Sequence, residues 1–186
     1  MIVLSSSHWR VFTFLLLMLG ASWVGFSRVP TPMLDADRIP APRENFPAPD
    51  FTLTTFDGES KTLSSQRGRV VIVNLWASWC GPCRAEMPAL KKVYEANRHR
   101  GLEVFAVNST FQDDERDARL FARDLNLSFT LLLDPDGAVS RRYLLRALPS
   151  TFFIDKRGVI RTVIVGGPMS EATLQTQVES LLADGK

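Results

Sequence analysis

Cys80 and Cys83 are the only cysteines among 186 residues, and just Gly81 and Pro82 separate them. Thiols three positions apart lie on one face of a helix's first turn and can close a small disulfide ring. The free N–H groups and the dipole of a helix N-terminus favour negative charge, which predicts a lowered pKa for the first thiol. Cys80 is therefore the expected nucleophile in thiol–disulfide exchange, and Cys83 the thiol that resolves the mixed disulfide. Pro82 suits a first turn, where its missing N–H has no helical partner to lose. Other chemistry fits the pair less well. A structural zinc needs four ligands, and the only histidines, His8 and His99, have no helpful spacing to the cysteines. A purely structural disulfide across so short a loop constrains little chain and adds little stability. Neither a metal nor a cofactor is expected.

The flanking residues supply a strand before the pair and a helix after it. Val70-Val71-Ile72-Val73-Asn74-Leu75-Trp76 is short, β-branched and mostly apolar, the pattern of a buried strand. Beyond the cysteines, Met87, Leu90, Val93 and Tyr94 recur at helical spacing, and Pro88 is expected to kink that helix. Glu86 falls one turn after Cys83, so it can face the disulfide. A carboxylate there disfavours a neighbouring thiolate, and burial raises the carboxyl's own pKa toward neutrality.

Trp76-Ala77-Ser78-Trp79-Cys80-Gly81-Pro82-Cys83-Arg84-Ala85-Glu86-Met87-Pro88 resembles the active-site stretch of the thioredoxin superfamily. Its last five residues are most similar to the TlpA/ResA-like branch, the membrane-anchored thiol:disulfide oxidoreductases of bacteria. The resemblance covers most of the chain after Phe46. It implies an α/β, thioredoxin-like fold: a central mixed β-sheet flanked by helices, with an N-terminal hairpin and an extra helix-strand insertion. It also implies catalytic roles for Cys80, Cys83 and Glu86, the last as acid/base for the Cys83 thiol. Trp79, Gly81, Pro82, Leu148 and Pro149 become substrate contacts. Asn74 stands where thioredoxin has a buried aspartate that helps proton transfer, a role an amide cannot fill. Pro149 matches the superfamily's cis-proline facing the disulfide, so that Leu148 can offer its N–H and C=O to an extended peptide.

Along the chain, Val11 to Ser27 carries no charge and is bounded by Arg10 and Arg28. This length is at the lower limit for crossing a bilayer, so residues 1–28 are read as an uncleaved anchor, with a cleaved signal as the alternative. Trp9 and Trp23 suit the membrane interfaces, and the flanking charge favours the N-terminus inside. Six prolines between Val29 and Pro49 predict an extended tether over 29–45. The domain then runs from 46 to 186. Ala48 to Leu53 and Ser60 to Leu63 form the expected hairpin around Asp57-Gly58. Strands follow at Leu102 to Val107 and Phe129 to Leu133, with a helix between them from Asp113 to Leu125. The turn Asp134-Pro135-Asp136-Gly137 closes that insertion. Leu148 to Asp155 pairs with Val159 to Val165 across Lys156-Arg157-Gly158, and Ser170 caps a last helix. Met87 and Met169 read as packing residues.

A formal net charge of +2 and no aromatic-interleaved basic patch give no case for nucleic acid. Arg98-His99-Arg100 reads as a solvated helix end. The expected reaction is dithiol–disulfide exchange. Gly81-Pro82 matches the reducing thioredoxin, so a reductase of protein disulfides is favoured over a disulfide-introducing oxidase or isomerase. The resemblance adds an integral-membrane thiol electron donor, an extracytoplasmic (periplasmic) catalytic domain, and apocytochrome c cysteines as substrate. A peroxiredoxin-type thiol peroxidase is disfavoured by Val73 and Ala77, where that family's motif has Pro and Thr or Ser. A copper-handling or peptide-binding module without turnover is the non-enzymatic alternative.

Overall fold

The computed structural model describes residues 9, 12–19, 23 and 38–183. In the N-terminal unit, residues 12–19 are helical and exposed, as are Trp9 and Trp23. The remainder of the expected anchor, and residues 29–37 of the expected tether, lie outside the described residues. Among the described residues no helix is long and apolar enough to cross a membrane.

The second unit is built on one seven-stranded mixed sheet. Its strands are β1 (Thr52–Thr55), β2 (Ser60–Thr62), β3 (Val70–Trp76), β4 (Leu102–Asn108), β5 (Thr130–Leu133), β6 (Ser150–Ile154) and β7 (Ile160–Val165). They lie in the order β2-β1-β5-β4-β3-β6-β7. Parallel pairs β3–β4 and β4–β5 sit at the centre, and antiparallel pairs at both sides. The long helices are α1 (Gly81–Asn97), α2 (Glu115–Asp124) and α4 (Glu171–Ala183), with a five-residue α3 at Ala138–Arg142. This is the thioredoxin-like α/β architecture.

β3 is buried throughout and apolar except at Asn74, because both faces of the sheet are covered. Side chains alternate across a strand. Val70, Ile72 and Trp76 therefore join the core beneath α1 and α4, with Met87, Leu90, Val93, Leu174 and Val178. Val71, Val73 and Leu75 join the opposite core, with Phe51, Phe105, Tyr143 and Phe152. Asn74 shares the parity of Ile72 and Trp76, which directs it toward α1. That register delivers one polar side chain into the layer that holds the cysteines.

Several details differ from the sequence reading. Residues 41–45 of the expected tether are fastened to the domain: Asn45 N donates to Ile160 O (2.7 Å), and Val163 N to a Glu44 carboxylate oxygen (3.1 Å). Arg38 and Arg43 both stack on the Phe46 ring. Proline-rich composition describes a spacer, but here it also carries the groups that pair with β7. Helix α3 was not anticipated. Buried Asp134 organises it, its two carboxylate oxygens accepting Val139 N (3.1 Å) and Ser140 N (2.8 Å).

Candidate active site

Strand β3 ends at Trp76, and a four-residue link delivers the chain to the start of α1. Cys80 N donates to Ala77 O (3.2 Å), and Ser109 N to Trp76 O (2.9 Å), so the link is fixed against the end of β4. Asp113 is its main clamp. Oδ2 accepts Ser78 N (2.6 Å) and Asn108 Nδ2 (2.7 Å), while Oδ1 accepts Ser78 Oγ (2.6 Å) and Asp114 N (3.0 Å). Trp79 is 61% exposed, yet its Nε1 donates to Gln112 O (3.0 Å). The sequence reading missed Asp113, which looked like the acidic start of α2. The available signal was an Asx-type residue just past a strand of the same sheet layer.

Cys80 and Cys83 are joined in a disulfide, with Cα atoms 5.3 Å apart. Cys80 is the N-cap of α1, and its sulfur accepts Cys83 N at 3.1 Å. Cys80 retains 4% exposure and Cys83 none. Gly81 and Pro82 form the exposed first turn between them.

Glu86 is fully buried in the α1 layer, one turn after Cys83. Asn74 Nδ2 donates to its Oε1 (2.8 Å) and also to Thr151 Oγ1 (2.8 Å). Met169 N donates to Oε2 (3.2 Å). Burial pushes the Glu86 carboxyl above the ordinary carboxylate range, and the bonds from Met169 and Asn74 pull the other way. Asn74, set aside in the sequence reading as non-titrating, thus positions the group that can titrate. Gly167 passes over this spot. A Cβ there would lie 3.1 Å from Glu86 Oε2 and 2.9 Å from the Pro149 ring, so only glycine allows the approach. The Leu148–Pro149 bond is cis, as is Gly167–Pro168. The ladder of β6 begins only at Ser150, leaving the backbone of Leu148 free of backbone partners among the described residues. The fold thus gathers Cys80, Cys83, Glu86 and Pro149 from α1 and the entry to β6, with Trp79 and Leu148 at the rim.

Comparison with known proteins agrees with this fold. The model of the AhpC/TSA family matches residues 45–163. Thiol-disulfide oxidoreductase ResA of Geobacillus kaustophilus is 35% identical over 134 residues, covering 72% of this chain and 75% of the relative. The chain belongs to this family. It is a thiol:disulfide oxidoreductase of the ResA/DsbE type. Thioredoxin-like protein YneN of Bacillus subtilis is 39% identical over 125 residues, 67% of this chain and 72% of the relative. Among solved structures, a secreted Mycobacterium tuberculosis disulfide oxidoreductase homologous to Escherichia coli DsbE superposes with a TM-score of 0.64 at 30% identity. It covers 70% of this chain and 96% of its own. StoA of B. subtilis superposes at 0.62 with 26% identity, covering 70% of this chain and 96% of its own.

Proposed function

We propose that this oxidoreductase is a membrane-anchored, extracytoplasmic reductase of protein disulfides. The observation that carries the reading is the asymmetry of the pair. The Cys80 sulfur caps a helix and its residue keeps 4% exposure next to the exposed Trp79, whereas Cys83 is fully buried. In the reduced protein the Cys80 thiolate attacks one sulfur of a substrate disulfide. A Cys80–substrate disulfide forms and the other substrate sulfur leaves as thiolate. Cys83 then loses its proton and attacks the Cys80 sulfur, forming Cys80–Cys83 and releasing the second substrate thiolate. Two electrons pass to the substrate, and the protein needs a thiol donor to be reduced again.

Glu86 is the acceptor for the Cys83 proton. Burial raises its carboxyl pKa toward that of a thiol, which makes the transfer less uphill. Trp79, Gly81 and Pro82 on one side, and Leu148 and Pro149 on the other, frame the substrate. The direction rests on two features. Gly-Pro stands between the cysteines, and a buried carboxyl beside them disfavours the thiolate form whose stabilisation makes strong oxidants. An integral-membrane thiol carrier is the proposed donor, and the haem-binding cysteines of apocytochrome c are the leading substrate. The apolar run of residues 11–27, with arginine at both ends, supports the anchor. A peroxidase reading is disfavoured because Val73 and Ala77 are buried apolar residues at the positions where peroxide chemistry uses Pro and Thr or Ser.

Trapping tests the assignment. Cys83→Ser is expected to accumulate a mixed disulfide with a protein substrate through Cys80, and Cys80→Ser to accumulate none. Equal trapping by both variants, or by neither, overturns it.

A further inference from the structure

Next to Trp79 and Leu148 lies a cleft of about 250 Å³ whose walls also include Phe111 and Leu145. Trp79 precedes the attacking cysteine, and Leu148 precedes the cis-proline. Any segment joined to Cys80 therefore passes its mouth. The walls are fixed rather than loose. Trp79 Nε1 is held by Gln112 O, and Phe111 N by Asp134 O (3.2 Å). Phe111 is nevertheless 45% exposed, an apolar surface in the wall of this cleft. The volume is below the roughly 300–1,000 Å³ of small-molecule pockets, so the cleft suits a side chain rather than a cofactor.

Its charge is one-sided. Arg141 and Arg146 line it, and no carboxylate does. Arg141 spends one N–H on Asp136 O (2.8 Å), which anchors the guanidinium and leaves other donors available. Arg146 is exposed and forms none of the hydrogen bonds or ion pairs found among the described residues. Across Trp79 the balance reverses: a second cleft, about 320 Å³, has Asp117 and Asp124 in its lining against Arg84 alone. Arg84 is itself stacked on the Phe121 ring, 4.6 Å from its centroid.

We propose that the Trp79–Leu148 cleft selects protein disulfides carrying an acidic side chain on one flank of the attacked cysteine, read by Arg141 and Arg146. Guanidinium pairs with carboxylate in a planar fork, so a glutamate or aspartate is the matching group. Because Asp117 and Asp124 repel an acid on the other flank, the preference is directional along the substrate chain. The proposal deepens the reading of Cys80 as the attacking thiol and rests on it.

The test uses the reduced full-length protein and short peptides, each with one cysteine and oxidised to its symmetric disulfide. Glutamate, glutamine or lysine stands two residues before or two residues after the cysteine. Bis(2-hydroxyethyl) disulfide, which is neutral, serves as a separate substrate. Exposed ion pairs at such sites are worth about threefold each in rate, so the glutamate-over-lysine ratio in kcat/KM should be about tenfold on one flank. On the other flank it should be near one or inverted. Because the ratio is taken within each variant, loss of overall activity does not affect it. Arg146→Ala, which removes a side chain without partners, should cut the ratio to about threefold. Arg141→Glu with Arg146→Glu should invert it. Raising the salt concentration should shrink it, since screening shortens the reach of exposed charges. Equal preference on both flanks, or a ratio unchanged in Arg146→Ala, overturns the acidic-substrate proposal. If neither the peptides nor the neutral disulfide is reduced, the reductase reading itself falls.

Discussion

Removing the Asp113 carboxylate should unfasten the active-site loop without touching either cysteine. Four hydrogen bonds converge on this group, two of them at 2.6 Å from the same residue, Ser78. In Asp113→Ala, Asn108 Nδ2 loses its acceptor inside the protein, because Asn108 is fully buried. An orphaned buried donor costs about 1–3 kcal/mol, and each bond to a charged group about 1.5–3 kcal/mol. Ser78 and Asp114 are partly or fully exposed and recover water, so the net loss should be about 3–4 kcal/mol. Asp113→Asn keeps the shape. Its oxygen can still accept from Ser78 N and Asn108 Nδ2, and its NH₂ can donate to Ser78 Oγ. The bond to Asp114 N and the charge are lost, for a cost of about 1–2 kcal/mol. Urea unfolding measures both. Rapid-mixing measurement of disulfide reduction should also slow in Asp113→Ala, because the Cys80 loop is no longer held ready for attack. Destabilisation below about 1 kcal/mol together with wild-type exchange rates would refute this account of the loop.

Glu86→Gln should change how stability depends on pH. The native carboxyl keeps its proton at pH values where the unfolded chain has lost it, so the wild type loses stability as pH rises from the ordinary carboxylate range up through the raised native value. The glutamine variant lacks that loss, and its stability relative to wild type should climb across this window and then level off. Urea unfolding from pH 4 upward checks this, and a difference independent of pH contradicts it. The same variant should show an altered thiol titration of the reduced pair, and an unchanged one removes the acid/base role. Tyr143→Phe deletes a buried hydroxyl that donates to Pro49 O at 2.8 Å. It leaves that carbonyl without its partner, so a cost of about 1–2 kcal/mol is expected in urea unfolding.

The chemistry was legible because it is local. A β-branched strand, a Cys-Gly-Pro-Cys turn and an apolar helical period sit within about 25 consecutive residues, and their types dictate their conformations. The β6–β7 hairpin was legible for the same reason. What escaped the sequence depends on distant partners. Asp113 acts on Ser78, 35 positions earlier, whereas its own neighbourhood reads as the acidic start of a helix. Asn74 read as an amide that cannot carry a proton, and its donation to Glu86 depends on strand register and on how α1 crosses the sheet. Helix α3 is too short to display a period, and isolated helices of that length are not stable. It exists because Asp134 supplies acceptors for its first N–H groups. Residues 41–45 read as tether because proline counts are local, whereas Glu44 and Asn45 find partners more than 110 positions away on β7.

The central claim is that Cys80 and Cys83 form a reducing couple. Its most direct test is the reduction potential of the pair, obtained by equilibrating the protein in glutathione or dithiothreitol buffers of defined ratio and counting free thiols. A value close to thioredoxin's, about −270 mV, is the predicted result. A value close to that of a strong oxidant, about −120 mV, would contradict the assigned direction and make disulfide formation the reaction this site performs.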